Sequence, residues 1–475
     1  MKQHRFRFVV LVATMAMVAG ACGARVTEQQ INAASGATRG AADLTDSTGL
    51  SPGEGDAGST QTTVTQPGAT AGATQTTVAG ATPTSAPTAA SSAAAPPGGN
   101  GGATDVGVTA TQVTLGNIST LSGPVPGLFQ GAVIGAQAIV AYENSIGGLY
   151  GRRFKLDVRD DQFDTGQNRA ATQEQLTKVF AFLGSFSLYD DAAVPQIQAS
   201  GIPDVTYSLS DARRTMRNNF PPQAAIPGGF QTGPYQYLKG KFPDAVTKAG
   251  TLYGDVPASK ASQLAAMAAA ESVGWKFAYN RGFQPTETDF TADIVRMKGS
   301  GVKIVYLVAT DDKATARIAK AMQQQGLKVP LVANYMPTMP ALAGSAVEGM
   351  ISAQTFALFN GEDSGQIPEV KLFNEWMQRV KPGSKPDLFA MYSWAAGRML
   401  FKAMEKAGPK AKRADVLAAL RSMGNFDANG MLAPGNPGAK QPATCYVVST
   451  IRGGKYQRLD TPPGKYRCDG GFHRG

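Results

Sequence analysis

Histidine is nearly missing from this chain of 475 residues: there are two, His4 and His473, both close to the ends. A Ser-His-Asp arrangement therefore lacks a base to take up the nucleophile's proton. Only three cysteines occur, Cys22, Cys445 and Cys468. With so few His and Cys, zinc sites of the usual kind have no ligand set. G-x-G-x-x-G does not follow the first predicted strand, so dinucleotide binding lacks its phosphate loop. Past residue 22 no apolar run approaches the about 20 residues that span a bilayer. Charge is biased to one sign, +10 overall, but scattered. Its densest groups, Arg213-Arg214 with Arg217 and Lys410, Lys412 and Arg413, are not interleaved with aromatics as a nucleic-acid surface is. They read as an ordinary solvated face. These absences point away from an enzyme, a metal or other cofactor, and a nucleic-acid partner.

What is present begins with an address. Lys2, Arg5 and Arg7 precede an uncharged apolar run from Phe8 to Val18, and Ala19-Gly20-Ala21-Cys22 follows. A charged start, a short apolar stretch and a small-residue exit describe a secretory signal, here 1–21. Ala19-x-Ala21 suits an ordinary signal peptidase, whereas small-small-Cys resembles the bacterial lipoprotein box. The cysteine count favours the second. An exported protein with an odd number leaves one thiol unexplained, and a lipidated Cys22 removes the oddity. Cys445 and Cys468 then pair, as an oxidising compartment allows. Residues 22–105 are mostly Thr, Ala, Gly, Ser, Gln and Pro. Such a stretch buries too little surface to offset its ordering entropy, so a disordered tether is expected, with a reach of roughly 50 Å.

From about Val106 the pattern alternates between β and α. Val113–Ile118 reads as a strand, Phe129–Asn144 as a helix, Phe154–Val158 as a strand and Gln167–Lys178 as a helix. The rhythm restarts at Ala249–Tyr253, and Val302–Ala309 (VKIVYLVA) is the clearest strand in the chain. Three helices follow Gly349–Phe356, over Glu369–Val380, Leu388–Lys406 and Ala414–Met423. Repeated strand–helix–strand units imply parallel sheets covered by helices on both faces. Roughly 370 residues exceed what one core usually holds, so two domains are expected.

Several residues together resemble the type I periplasmic solute-binding proteins of the branched-chain amino acid group. They are Leu121-Ser122-Gly123-Pro124, Asn144-Ser145-Ile146-Gly147-Gly148, Gly151-Arg152-Arg153 and Asp160-Asp161. Further on come Gly201-Ile202-Pro203, Thr288-Asp289-Phe290, Val347-Glu348-Gly349 and Pro386–Gly397. The resemblance rests on their order and spacing over about 360 residues. It implies an α/β fold of two Rossmann-like lobes joined by a hinge that the chain crosses three times. The expected lobes are 106–235 with part of 353–435, and 236–352 with part of 436–475. It also implies a small-molecule solute in the cleft, ABC permease subunits as partners, and anchorage to the outer face of the membrane. A ligand-sensing lipoprotein that transports nothing is the competing reading.

Ligands of open parallel sheets sit at loops beyond the carboxyl ends of strands. In the first lobe those loops hold Ser122, then Ser185, Ser187 and Tyr189, then Ser208 and Ser210. The family places a carboxylate-binding serine here, which carries over to Ser187 or Ser185 and, in the next loop, to Ser208 and Ser210. Each serine is otherwise a helix N-cap. In the second lobe the loops hold Phe283, Asp311-Asp312 and Tyr335. Tyr335 falls where many family members carry Glu, so a ligand ammonium would turn to Asp311 or Asp312, residues that also suit N-caps. Tyr189, Phe283 and Tyr335 are candidate walls, or ordinary packing.

Overall fold

The computed structural model describes residue 95 and residues 97–474. The expected export signal, Cys22 and most of the stretch expected to be a tether lie outside the described residues. The end of that stretch departs from expectation, because residues 100–105 are docked on the globular body. Arg152, 5% exposed, donates to the carbonyls of Asn100 (2.6 Å), Gly102 (2.9 Å) and Thr109 (2.8 Å). Asn100 donates to Ala110 and Tyr150, and the Asp105 carboxylate accepts from the Arg413 backbone N–H at 2.7 Å. Composition counts apolar surface, whereas this segment is held by hydrogen bonds, from the buried Arg152 to its backbone and through the Asn100 and Asp105 side chains.

In chain order the first elements are β1 (Gln112–Ser119), α1 (Gln130–Ser145), β2 (Arg153–Asp160), α2 (Thr165–Leu176), β3 (Ala181–Leu183) and α3 (Val194–Ser200). Next come β4 (Asp204–Val205), α4 (Asp211–Arg214), β5 (Phe230–Gln231), α5 (Gly233–Lys241), β6 (Ala249–Gly254) and α6 (Pro257–Ser272). The second run continues with β7 (Phe277–Phe283), α7 (Thr291–Gly299), β8 (Ile304–Leu307), α8 (Asp312–Gln324) and β9 (Leu331–Ala333). Then follow α9 (Met339–Ala343), β10 (Ile351–Gln354), α10 (Pro368–Val380), α11 (Leu388–Ala407) and α12 (Arg413–Arg421). Three strands finish the chain: β11 (Val447–Arg452), β12 (Lys455–Arg458) and β13 (Phe472–His473).

Two sheets organise these elements. The first runs β2-β1-β3-β4, all parallel. The second runs β12-β11-β10-β9-β8-β6-β7, parallel from β7 to β10, with β11 and β12 antiparallel at one edge. Strand order reverses between β1 and β3 in one sheet and between β6 and β8 in the other. Those are the switch points where α/β sheets open a crevice.

The apolar patterning explains the layers. All four residues of β8 are buried, as in a sheet covered on both faces. Helix α8 buries Ala314, Ile318, Ala321 and Met322 along one stripe, and Asp311 caps it by accepting from the Ala314 N–H at 2.9 Å. Helix α11 packs on α1 because glycines open the contact. A Cβ at Gly135 would stand 2.2 Å from the Ala390 carbonyl oxygen, and one at Gly397 2.5 Å from Ile139 Cγ2. Trp394, fully buried, then reaches Tyr142 and Phe373 at ring separations of 5.9 and 5.7 Å. Among the described residues no helix is long and apolar enough to cross a membrane.

The chain passes between the two sheets after α4, after β10 and after α12. The three passages are tied together. Ala433 N–H donates to the Thr355 carbonyl at 2.7 Å and Ala357 N–H to Met431 at 2.9 Å. Gln223 Nε2 donates to the Thr355 carbonyl (2.6 Å) and the Ala433 carbonyl (3.3 Å), while its Oε1 accepts from the Tyr392 hydroxyl at 3.2 Å. Near the third passage, Cys445 and Cys468 form a disulfide. The tail beyond it returns to pair β13 with β5.

Candidate functional site

The loops at the carboxyl ends of both sheets meet around a cavity of about 300 Å³. From the first sheet come Phe129 after β1, Phe186 and Leu188 after β3, and Tyr207 and Arg214 after β4. The second sheet supplies Val256 after β6, Phe283 at the end of β7, Asp311 after β8, Tyr335 and Met336 after β9, and Gln354 at the end of β10. Phe389 and Tyr392 of α11 and Phe472 of β13 complete the wall. A volume in this range suits a small organic molecule.

Aromatic rings make up one side. Phe186 stacks on Tyr207 (5.8 Å) and Tyr207 on Tyr392 (4.7 Å), while Phe389 meets Phe129 and Phe186 edge-on at 4.8 and 5.1 Å. Burial pushes the Tyr207 hydroxyl above its ordinary value, and Arg214 draws it partly back. That hydroxyl has no hydrogen-bond partner among the described residues.

Two charged side chains line the cavity. Arg214 is 7% exposed; its Nη1 donates to Asp211 at 2.8 Å and its Nε to the Ser208 carbonyl at 3.3 Å. Its Nη2 is unpartnered among the described residues. Asp311 is the cap of α8, and burial raises its carboxyl above the usual range against the pull of the Ala314 N–H. Gln354 is 5% exposed, and both amide atoms are buried without a partner. Unsatisfied buried amides of this kind call for an explanation.

Of the residues expected from sequence, Phe283, Asp311 and Tyr335 lie on the cavity wall. Phe283 meets Phe290 edge-on at 5.0 Å, and the Tyr335 hydroxyl accepts from the Asn360 N–H at 3.2 Å. The others are not among the lining residues, because their polar atoms are engaged elsewhere. Ser122 Oγ donates to Asp160 at 2.6 Å, and Ser185 Oγ accepts from the Ile118 N–H at 3.0 Å. Ser187, 2% exposed, donates to Asp161 and accepts from Asn168 Nδ2 (3.2 Å) and the Tyr189 N–H (2.9 Å). Ser208 Oγ donates to Asn219 Oδ1 at 2.6 Å, and Ser210 caps α4 by accepting from the Arg213 N–H at 3.2 Å. The Tyr189 ring packs edge-on against Phe163 at 5.3 Å. Asp312 accepts from Thr338 Oγ1 at 2.9 Å.

One expectation is overturned outright. Arg213 and Arg214 are not a solvated face; only Arg217 of that group is exposed. Arg213, next to Arg214 on α4, forms a two-pronged pair with Asp204 (3.0 and 2.8 Å). The available signal was position rather than charge density, since both arginines fall just beyond a strand's carboxyl end. Gln223, Gln354 and Phe472 carry no local pattern that marks them.

Comparison with known proteins agrees with this architecture. A family model described as periplasmic binding protein matches residues 112–455. The Leu/Ile/Val-binding protein homolog 1 of Brucella suis biovar 1 (strain 1330) is 25% identical over 310 residues, which is 63% of this chain and 80% of that protein. A fatty acid ABC transporter substrate-binding protein from Thermomonospora curvata is similar in fold, with a TM-score of 0.64 and 20% identity. That alignment covers 75% of this chain and 93% of that one. A branched chain amino acid ABC transporter protein from Thermus thermophilus with bound valine aligns with a TM-score of 0.64 and 20% identity, over 74% of this chain and 96% of that one.

Proposed function

Since the chain belongs to the periplasmic binding protein family, we propose that it is the solute-capturing component of an ABC importer, holding a small organic solute between two closing lobes. The observation that carries this reading is the cavity into which the strand ends of both sheets project. Hinge closure is the standard way such a fold sequesters its ligand. In this reading residues 106–235 and 236–352 move as the two lobes, with the later segments shared between them. The passages clasped by Gln223 then form the hinge.

Phe283, Asp311 and Tyr335 contact the solute together with Tyr207, Arg214 and Gln354. Ser122, Ser185, Ser187, Ser208 and Ser210 set the loops in place through their hydrogen bonds rather than by touching the solute, and Tyr189 packs behind them. A lipid on Cys22 keeps the protein on the outer face of the membrane, within reach of its permease partners. Thermal-shift screening of the protein against amino acids, amides, short-chain acids and aromatic acids tests the proposal. A solute that binds only the folded state raises the melting temperature, and a panel that moves it nowhere would count against capture of this kind.

A further inference from the structure

Resting on that reading, we infer that the captured solute is a monocarboxylate with an apolar body and no ammonium group. Three donors at the cavity are unanswered among the described residues, Arg214 Nη2, the Tyr207 hydroxyl and the Gln354 amide N–H₂, the last beside its equally unpaired Oε1. Arg214 is the cation of the set, and guanidinium hydrogen bonds to carboxylate are among the strongest available in a protein. Its pair with Asp211 uses Nη1 and leaves the other terminal nitrogen open. Tyr207 stacks on Tyr392 at 4.7 Å, and the Tyr392 hydroxyl reaches Gln223 at 3.2 Å. Gln223 in turn bonds the Thr355 carbonyl, next in the chain to Gln354. These contacts connect the open donors to the hinge passages.

The single carboxylate on the wall has another task. Asp311 accepts the Ala314 N–H as the cap of α8, the arrangement expected of an Asp at a helix start. Apart from Asp311 the wall offers an ammonium only neutral groups, such as Ser259, Ser262, Thr310 and Asn334, and, among the described residues, no second carboxylate. A buried cation without a counter-charge is costly. A cavity of about 300 Å³ lies at the small end of ligand pockets, which run from about 300 to 1,000 Å³. That accommodates a short branched alkyl or a single-ring aryl acid.

Three probes that share one tail separate the possibilities: 4-methylpentanoate, 4-methylpentanamide and leucine, titrated calorimetrically into the full chain. The acid is expected to bind at least tenfold more tightly than either of the others. Arg214→Gln should close most of the gap between acid and amide by weakening the acid at least tenfold and the amide far less. Should Arg214→Gln fail to fold, Tyr207→Phe keeps the ring stack and is expected to weaken the acid at least threefold. Leucine binding more tightly than the acid would overturn the inference and leave solute capture standing. No heat from any probe, together with no stabilisation across the wider panel, would remove both.

Discussion

Glu143 lies on α1 at 7% exposure, and among the described residues its carboxylate has no hydrogen-bond partner. Burial raises its pKa from the ordinary 4.5 to about 7; Arg398 pulls against that rise and Glu405 adds to it. The native state thus holds this proton over a range where the unfolded chain has released it. Between pH of about 4.5 and 7 the folded protein binds the extra proton, so stability falls as pH rises through that window and levels off above it. At 1.36 kcal/mol per pKa unit, the interval from 4.5 to about 7 amounts to about 3 kcal/mol. Glu143→Gln keeps the shape and removes the titration. Its stability should match the parent's near pH 4 and exceed it by about 3 kcal/mol near pH 8. Urea unfolding of both proteins from pH 4 to 8 measures that difference, in which every other titrating group cancels. A difference that stays constant across the range would show that Glu143 ionises freely in the folded state.

The Glu369 carboxylate accepts from Trp394 Nε1 (2.5 Å), Arg398 Nε (2.6 Å) and Asn429 Nδ2 (2.9 Å). Glu369→Ala strands a half-buried guanidinium and should cost about 3–5 kcal/mol, with the pair Glu369→Leu/Arg398→Met recovering most of it; equal losses in the single and double variants would contradict this. Cys445 and Cys468 close a loop with a sequence separation of 23. Replacing both by Ser should lower stability by about 3 kcal/mol in denaturant titration, and a loss that reductant also produces in the parent protein confirms the source. Gln223→Ala removes the donor shared by the Thr355 and Ala433 carbonyls. It should cost about 1–3 kcal/mol and speed amide exchange at residues 355–357 and 431–433; unchanged exchange there would deny Gln223 its role in the clasp.

Much of the architecture could be read along the chain because the parallel sheets are covered on both faces. Their strands appear as apolar runs, and Val302–Ala309 contains β8 at residues 304–307. Helices with one apolar stripe, such as α8, appear at their proper spacing. Helix α5 was not legible, because Gly233, Pro234 and Gly240 interrupt any period. Neither was the β5–β13 pair, which joins residues some 240 apart through two strands of two residues each. At the site, reading past each strand end located Phe283, Asp311 and Tyr335 on the cavity wall, whereas the serines of those loops are not among the lining residues. Ser187 sits in the right loop, yet Asp161 and Asn168 arrive from other elements and occupy its hydroxyl. Which loop residues turn toward a cavity depends on such distant partners. Arg214 shows the converse, a charge 7% exposed although its neighbours in sequence read as a solvated face.

The central claim is that one solute is held by loops of both sheets at once. Hydrogen–deuterium exchange with and without a solute that raises the melting temperature tests it most directly. Protection should appear together at residues 184–190 and 207–214 of one group and at 308–311, 334–336 and 354–357 of the other. Protection confined to one sheet's loops, or found at a surface away from the cavity, would contradict the account.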